Sequence, residues 1–60
     1  MKTIKIIENE EIGDLELVET NGVRVSKFQI WFNWQIIDTA KTLKTALKKF
    51  EVKAIKNNLI

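Results

Sequence analysis

Cysteine, histidine, proline and tyrosine are all missing from this 60-residue chain, and serine occurs once, at Ser26. Each gap removes a class of chemistry. Without cysteine there is no disulfide, and without cysteine or histidine there is no conventional zinc site. A nucleophile needs a positioned base, and the usual one, histidine, is not there. The two glycines, Gly13 and Gly22, are solitary, so no glycine-rich loop can cradle a phosphate. No apolar run approaches the roughly 18 to 20 residues that span a bilayer, and "MKTIKIIENEE" turns acidic before a signal-peptide core could form. These absences lead us to expect a cytoplasmic protein with no membrane contact, no cofactor and no metal.

What is present is a folding composition. Apolar residues make up 45% and charged residues 30% of the chain, which is far from the composition of disordered segments. A chain this short forms at most one domain, here residues 1–60, and buries only about 60% of the surface it exposes when unfolded. Lacking disulfide or metal staples, it must draw stability from a well-packed core or from a partner chain. Nine lysines, nine isoleucines and five asparagines against one arginine reflect AT-rich coding, a bias of low-GC bacteria and their phages.

Charge is distributed unevenly. Residues 1–22 set two lysines against six carboxylates, a net −4, whereas residues 23–60 set eight cations against two carboxylates, a net +6. The simpler expectation is that acidic strands and a basic helix attract each other within the fold or across a dimer. The sharper one is a basic face for phosphate or for an acidic partner.

Along the chain, "KTIKIIE" (2–8) reads as a first strand with Ile4 and Ile6 on one face, and "NEEIGD" supplies turn residues. Two β-rich runs then flank Asn21-Gly22, the signature of a two-residue hairpin, which places strands near 15–20 and 23–32. Val23 and Val25 fall on the opposite parity from Phe28, Ile30 and Phe32, so a bulge or break is required near Ser26 and Lys27. Phe28, Ile30 and Phe32 are then the core-facing set. Asn33 leaves two readings open. Either "FNWQ" is a tight turn with "WQIIDT" returning as another strand, or one long bent strand continues.

"DTAKTLKTALKKF" has helical spacing, with Ala40, Leu43, Ala46, Leu47 and Phe50 on one side and Lys41, Lys44 and Lys48 on the other. Asp38 or Thr39 can cap it, or Thr42 if the helix is shorter. Past Glu51 the period breaks, so the helix is expected over about 40–51, with "VKAIKNNLI" as a short strand or tail. The expected fold class is α+β: a small antiparallel sheet of three to four strands with one amphipathic helix on one face.

The carboxylates Glu8, Glu10, Glu11, Asp14 and Glu16 have too little chain around them to form a catalytic cleft, and a solvated acidic edge explains them. "ENEEIGDLE" does not have calcium-loop spacing. An enzyme, and a small-molecule substrate, are therefore not expected. Four of the five aromatics lie within residues 28–34. Trp31 shares its parity with the polar Gln29 and Asn33, so a large apolar side chain is expected on an open face, where it would anchor a partner. Gln29, Trp31, Asn33 and Trp34 are the candidate partner-binding residues. Arg24, Lys41, Lys44 and Lys48 are candidates for contacting phosphate or an acidic partner. The functional expectation is a small non-enzymatic interaction module that binds a protein, and itself as a homodimer. Phage or mobile-element accessory proteins that inhibit a host protein fit this size and composition. The alternative is a nucleic-acid binder using the helix lysines and the sheet aromatics.

Overall fold

In the computed structural model, which describes residues 1–59, four strands precede one helix. They are β1 (Lys2–Asn9), β2 (Gly13–Glu19), β3 (Phe28–Phe32), β4 (Gln35–Ala40) and α1 (Leu43–Lys56). The strands form one antiparallel sheet in the order β1-β2-β3-β4, and α1 packs across one face of β2, β3 and β4. This is the expected α+β architecture with four strands. No described helix is long and apolar enough to cross a membrane.

The register of the central pair sets the core. Leu15 lies opposite Phe32, Leu17 opposite Ile30 and Glu19 opposite Phe28. Side chains alternate between faces along a strand, so Leu15, Leu17, Phe28 and Ile30 all meet Ala46, Phe50 and Ala54 of the helix. Phe32 and Ile7 pack at the margin of this cluster. Phe50 is almost fully buried, and a side chain of that size contributes roughly 1.5–3 kcal/mol by burial alone.

This register overturns the Asn21-Gly22 hairpin. A two-residue turn there would place Ile30 opposite Gly13 and leave Phe32 beyond the end of β2. The chain instead loops out over residues 20–27. The Thr20 amide donates to the Lys27 carbonyl at 2.7 Å, and the Thr20 hydroxyl donates to the Ser26 carbonyl at 2.9 Å. Val23 and Val25 are exposed in the loop rather than paired, and Arg24 takes a left-handed conformation, φ 63°. The parity conflict is thus resolved by looping out and not by a bulge in a continuous strand.

The tight turn lies at Asn33-Trp34. Both residues have positive φ, 50° and 72°, and the flanking Phe32 and Gln35 are paired, so the two-residue loop has the mirror-turn geometry that suits the twist of paired strands. Asn33 also fastens this turn to the β1–β2 turn. Its Oδ1 accepts from the Asp14 amide at 3.0 Å, its Nδ2 donates to the Ile12 carbonyl at 3.3 Å, and its own amide donates to the Asp14 carbonyl at 3.1 Å. Gly13 makes room for it: φ is +129°, and a Cβ there would lie 2.0 Å from Asn33 Oδ1.

Two irregularities reassign isoleucines. The register shifts between Thr3 and Lys5, so Ile4 and Ile7 pack toward the core while Ile6 faces away from the helix, contrary to the expected pairing of Ile4 with Ile6. Trp31 lies opposite Ile36, and a second shift between Ile30 and Trp31 leaves Ile37 as the extra residue of β4 and sets Ile30 opposite Asp38.

The helix starts later and ends later than its sequence period suggests. Residues 38–40 belong to β4, so Thr42 is the cap, its side chain accepting from the Thr45 amide. Beyond Glu51 the helix continues because Ala54 fills the next inward position while Val52 and Ile55 point out. Lys53 sits at the flank and extends its ammonium to Asp38 Oδ2, 3.8 Å away, so the apparent break in the period is a snorkelling lysine. The short strand or tail expected past Glu51 is therefore replaced by helix through Lys56 and a turn at residues 57–58, and Ile60 lies outside the described residues. Asn58, at φ 60°, stops the helix: its amide donates to the Ile55 carbonyl and the Leu59 amide to the Ala54 carbonyl. Asparagine here takes the left-handed position usually held by glycine, and Leu59 folds back onto the core.

Asp38 clamps the helix to the sheet. Lys49 Nζ donates to Asp38 Oδ1 at 3.3 Å and to the Thr39 carbonyl at 2.8 Å. Burial pushes the Asp38 carboxyl up, but the Thr39 amide, the Lys49 hydrogen bond and the charges of Lys49 and Lys53 outweigh it, so it titrates below its ordinary 3.8. With the folded value depressed, the clamp contributes fully above the unfolded value and is lost as pH falls through the folded one. Asp38→Asn is expected to cost up to about 1 kcal/mol at neutral pH, and to make urea-measured stability less steep in pH below about 4. Equal steepness in both proteins would remove Asp38 from this role. Gly13→Ala is expected to lower stability by about 2 kcal/mol or more. The loss should shrink in an Asn33→Gly background, where the turn conformation survives but the obstructing amide does not. An undiminished loss would show that the two residues do not interlock.

Candidate functional site

One helix covers one face of a sheet, and the other face of this sheet is uncovered. Alternation places Thr3, Ile6, Glu8, Asp14, Glu16, Val18, Gln29, Trp31, Ile36 and Thr39 there. The register draws them into rows. Ile6, Glu16, Trp31 and Ile36 form a line across all four strands, and Thr3, Val18, Gln29 and Thr39 form the next. Glu8 faces Asp14 at the end nearest the two turns.

Trp31 does not stand free, as its sequence neighbours suggest. It is half-buried, and its indole Nε1 donates to Gln29 Oε1 at 3.2 Å. Gln29, expected at the surface, is only 7% exposed. The amide oxygen satisfies the indole N–H, and Gln29 lies opposite Val18, which is buried yet lies outside the helix-side core. The fully presented aromatic is Trp34, 89% exposed at the second position of the β3–β4 turn. Ile6, Asp14, Glu16, Trp31, Asn33 and Trp34 line a cleft of about 80 Å³, too small for most ligands.

Of the four residues expected to bind a partner, Trp31 and Trp34 belong to this surface. Gln29 supports Trp31 from beneath, and Asn33 is committed to fastening the turns. Sequence reasoning missed Ile6 and Ile36, because they face away from the helix only in the register that the β1–β2 and β3–β4 turns set, and that register leaves no mark in the pattern. It also did not connect Asp14 and Glu16 with the aromatics, although the antiparallel pairing of β2 with β3 brings them together.

The charges sort by face. Glu8, Asp14 and Glu16 lie on the open face, and the Glu16 carboxylate accepts from the Thr3 hydroxyl. Among the described residues none of the three forms a salt bridge. Within the fold, among the described residues, no salt bridge joins the acidic strands β1 and β2 to the helix: Lys49 and Lys53 both pair with Asp38 of β4, and Glu19 pairs with Lys27. Glu8 opposite Asp14 is a like-charge pair, which costs stability in a sheet.

The basic candidates do not form one surface. Arg24 and Lys41 flank a shallow hollow beside the 20–27 loop. Lys44 and Lys48 line a groove between α1 and β4, with Asp38, Thr45, Lys49, Val52 and Lys53. These lysines lie across the sheet from Trp31 and Trp34, so one strand of nucleic acid cannot use both in one groove. Among the described residues no group of three carboxylates is placed to hold a metal ion. Comparison with known proteins returns no match to any family model, curated protein or solved structure.

Proposed function

We propose that this is a small non-enzymatic protein-protein interaction module whose working surface is the open sheet face. The observation that carries the reading is Trp34. A bulky aromatic at positive φ costs roughly 1–2 kcal/mol, and an indole that is 89% exposed recovers almost none of that by burial. Glycine would suit the position better for folding. A residue that opposes stability in the free protein is explained if a partner covers it. Trp31 lies beside it on the open face, with Ile6 and Ile36 on the two edge strands and Glu16 between Ile6 and Trp31, so apolar groups large enough to anchor a partner alternate with carboxylates.

A module of this kind acts by occupying a surface of another protein. Its size and AT-rich composition suit an accessory protein of a phage or mobile element that binds a host protein and inhibits it. Trp34→Gly separates the two demands on the residue. Thermal or urea unfolding is expected to show a gain of about 1 kcal/mol, while a stoichiometric protein partner captured by the unaltered chain is lost. Retention of that partner by the variant would overturn the assignment.

The groove at Lys44 and Lys48 keeps a nucleic-acid reading testable, because among the described residues neither lysine has a carboxylate partner. Three carboxylates around the aromatics oppose phosphate on the open face, so base stacking there is disfavoured. Oligonucleotide retention is expected to be absent at about 0.15 M salt. Retention that disappears on Lys44→Glu with Lys48→Glu would favour nucleic acid instead.

A further inference from the structure

The occupant of the open face can be argued from chemistry that the chain itself carries. Interspersing Glu8, Asp14 and Glu16 with Ile6, Trp31, Trp34 and Ile36, the face fits a surface that mixes cations with aliphatic side chains. The outward side of α1 is such a surface. Lys44, Lys48 and Val52 follow one another at four-residue intervals, and Ile55 lies beside them. Val52 and Ile55 are 54% and 56% exposed, a degree of exposure that helix packing on the sheet does not require.

Two ways of joining copies can be compared. Apposing two open faces about a two-fold axis would bring six carboxylates together, and the face offers no cation to offset them. Setting the helix of one copy on the open face of the next places lysines against carboxylates and Val52 and Ile55 against the indoles. We propose that the open sheet face binds the outward face of α1 of a second copy, so that the protein associates head to tail. The inference rests on the reading of the open face as a protein-binding surface and names its occupant. Contacts of this kind are not self-complementary, so each added copy leaves one face free, and growth continues until a ring closes.

The contact is small. Four strands at about 4.8 Å spacing and about 20 Å of strand length give roughly 400 Å² per partner. The total of roughly 800 Å² lies below the roughly 1,200 Å² at which stable specific interfaces begin and in the range of weak, transient ones. Assembly is therefore weak and must be sought at high concentration and low salt.

Sedimentation velocity on the full chain from about 10 μM to about 1 mM tests it, at about 0.05 M and about 0.5 M salt. The mean mass is expected to rise past the dimer at low salt and to fall back at high salt. Glu16→Lys and Lys48→Glu should each weaken association about tenfold or more. An equimolar mixture of the two should restore it, because each altered face then meets its complement. Glu8→Lys replaces Glu16→Lys if loss of the Thr3 contact unfolds the latter, as circular dichroism would show. A chain that stays monomeric throughout, a dimer indifferent to both reversals, or a mixture that fails to assemble would each overturn the proposal. If a monomeric chain still captures a foreign protein through Trp34, only the second-copy occupant fails and the binding surface stands.

Discussion

Leu17 opposite Ile30 is the pairing on which the rest of the molecule depends. It fixes the alternation of both central strands and sends Leu15, Leu17, Phe28 and Ile30 to the helix. The same step sends Glu16, Val18, Gln29 and Trp31 the other way. It also determines what must be looped out, since Glu19 can meet Phe28 only if residues 20–27 leave the sheet. The two turns at the far end then come close enough for Asn33 to hydrogen-bond across them, and Gly13 is the residue that leaves room for it. Core, loop, turn and open face follow from one register.

A sheet of four strands with a single helix has one face to spare, and here that face is chemically unlike the rest of the surface. Trp31 is partly sheltered by giving its indole hydrogen to Gln29, an arrangement that lets a large apolar group sit on an uncovered sheet. Trp34 has no such compensation. Its backbone strain, the opposed Glu8 and Asp14, and the exposed Ile6 and Ile36 are all unfavourable in an isolated monomer, and they gather at one place. Local choices that work against the fold are expected where another demand acts on the sequence. The helix side shows the opposite pattern, with Asp38 drawing two lysines inward and Lys44, Lys48, Val52 and Ile55 left to the outside.

Much of the architecture was legible in the residues. The core set Phe28, Ile30 and Phe32, the acidic turn near Gly13 and the helix with Ala46 and Phe50 inward all follow from period and composition. Other features did not, for physical reasons. Asn21-Gly22 is a strong local turn signal, but the core overrode it because the register it implies wastes Phe32. The helix end was misread because Lys53 in an inward-flanking position looks like a break until its ammonium is seen to reach Asp38. Asn58 did what a glycine usually does and so gave no conspicuous stop. At the candidate site the aromatics were visible in the sequence, but their roles were exchanged: Trp31 is the braced residue and Trp34 the presented one. That exchange depends on the two-residue turn at Asn33-Trp34, which the sequence left open against a continuous strand.

If the face away from the helix is where this protein meets other proteins, the two indole N–H signals report on it directly. Two-dimensional NMR spectra across a dilution series should show the Trp34 indole and the amides of Ile6, Glu16 and Ile36 moving together with those of Lys48 and Val52. Signals from the buried Leu17 and Ile30 should stay in place. A Trp34 indole that remains fixed while signals along the outer edge of β4 or β1 move would contradict the account.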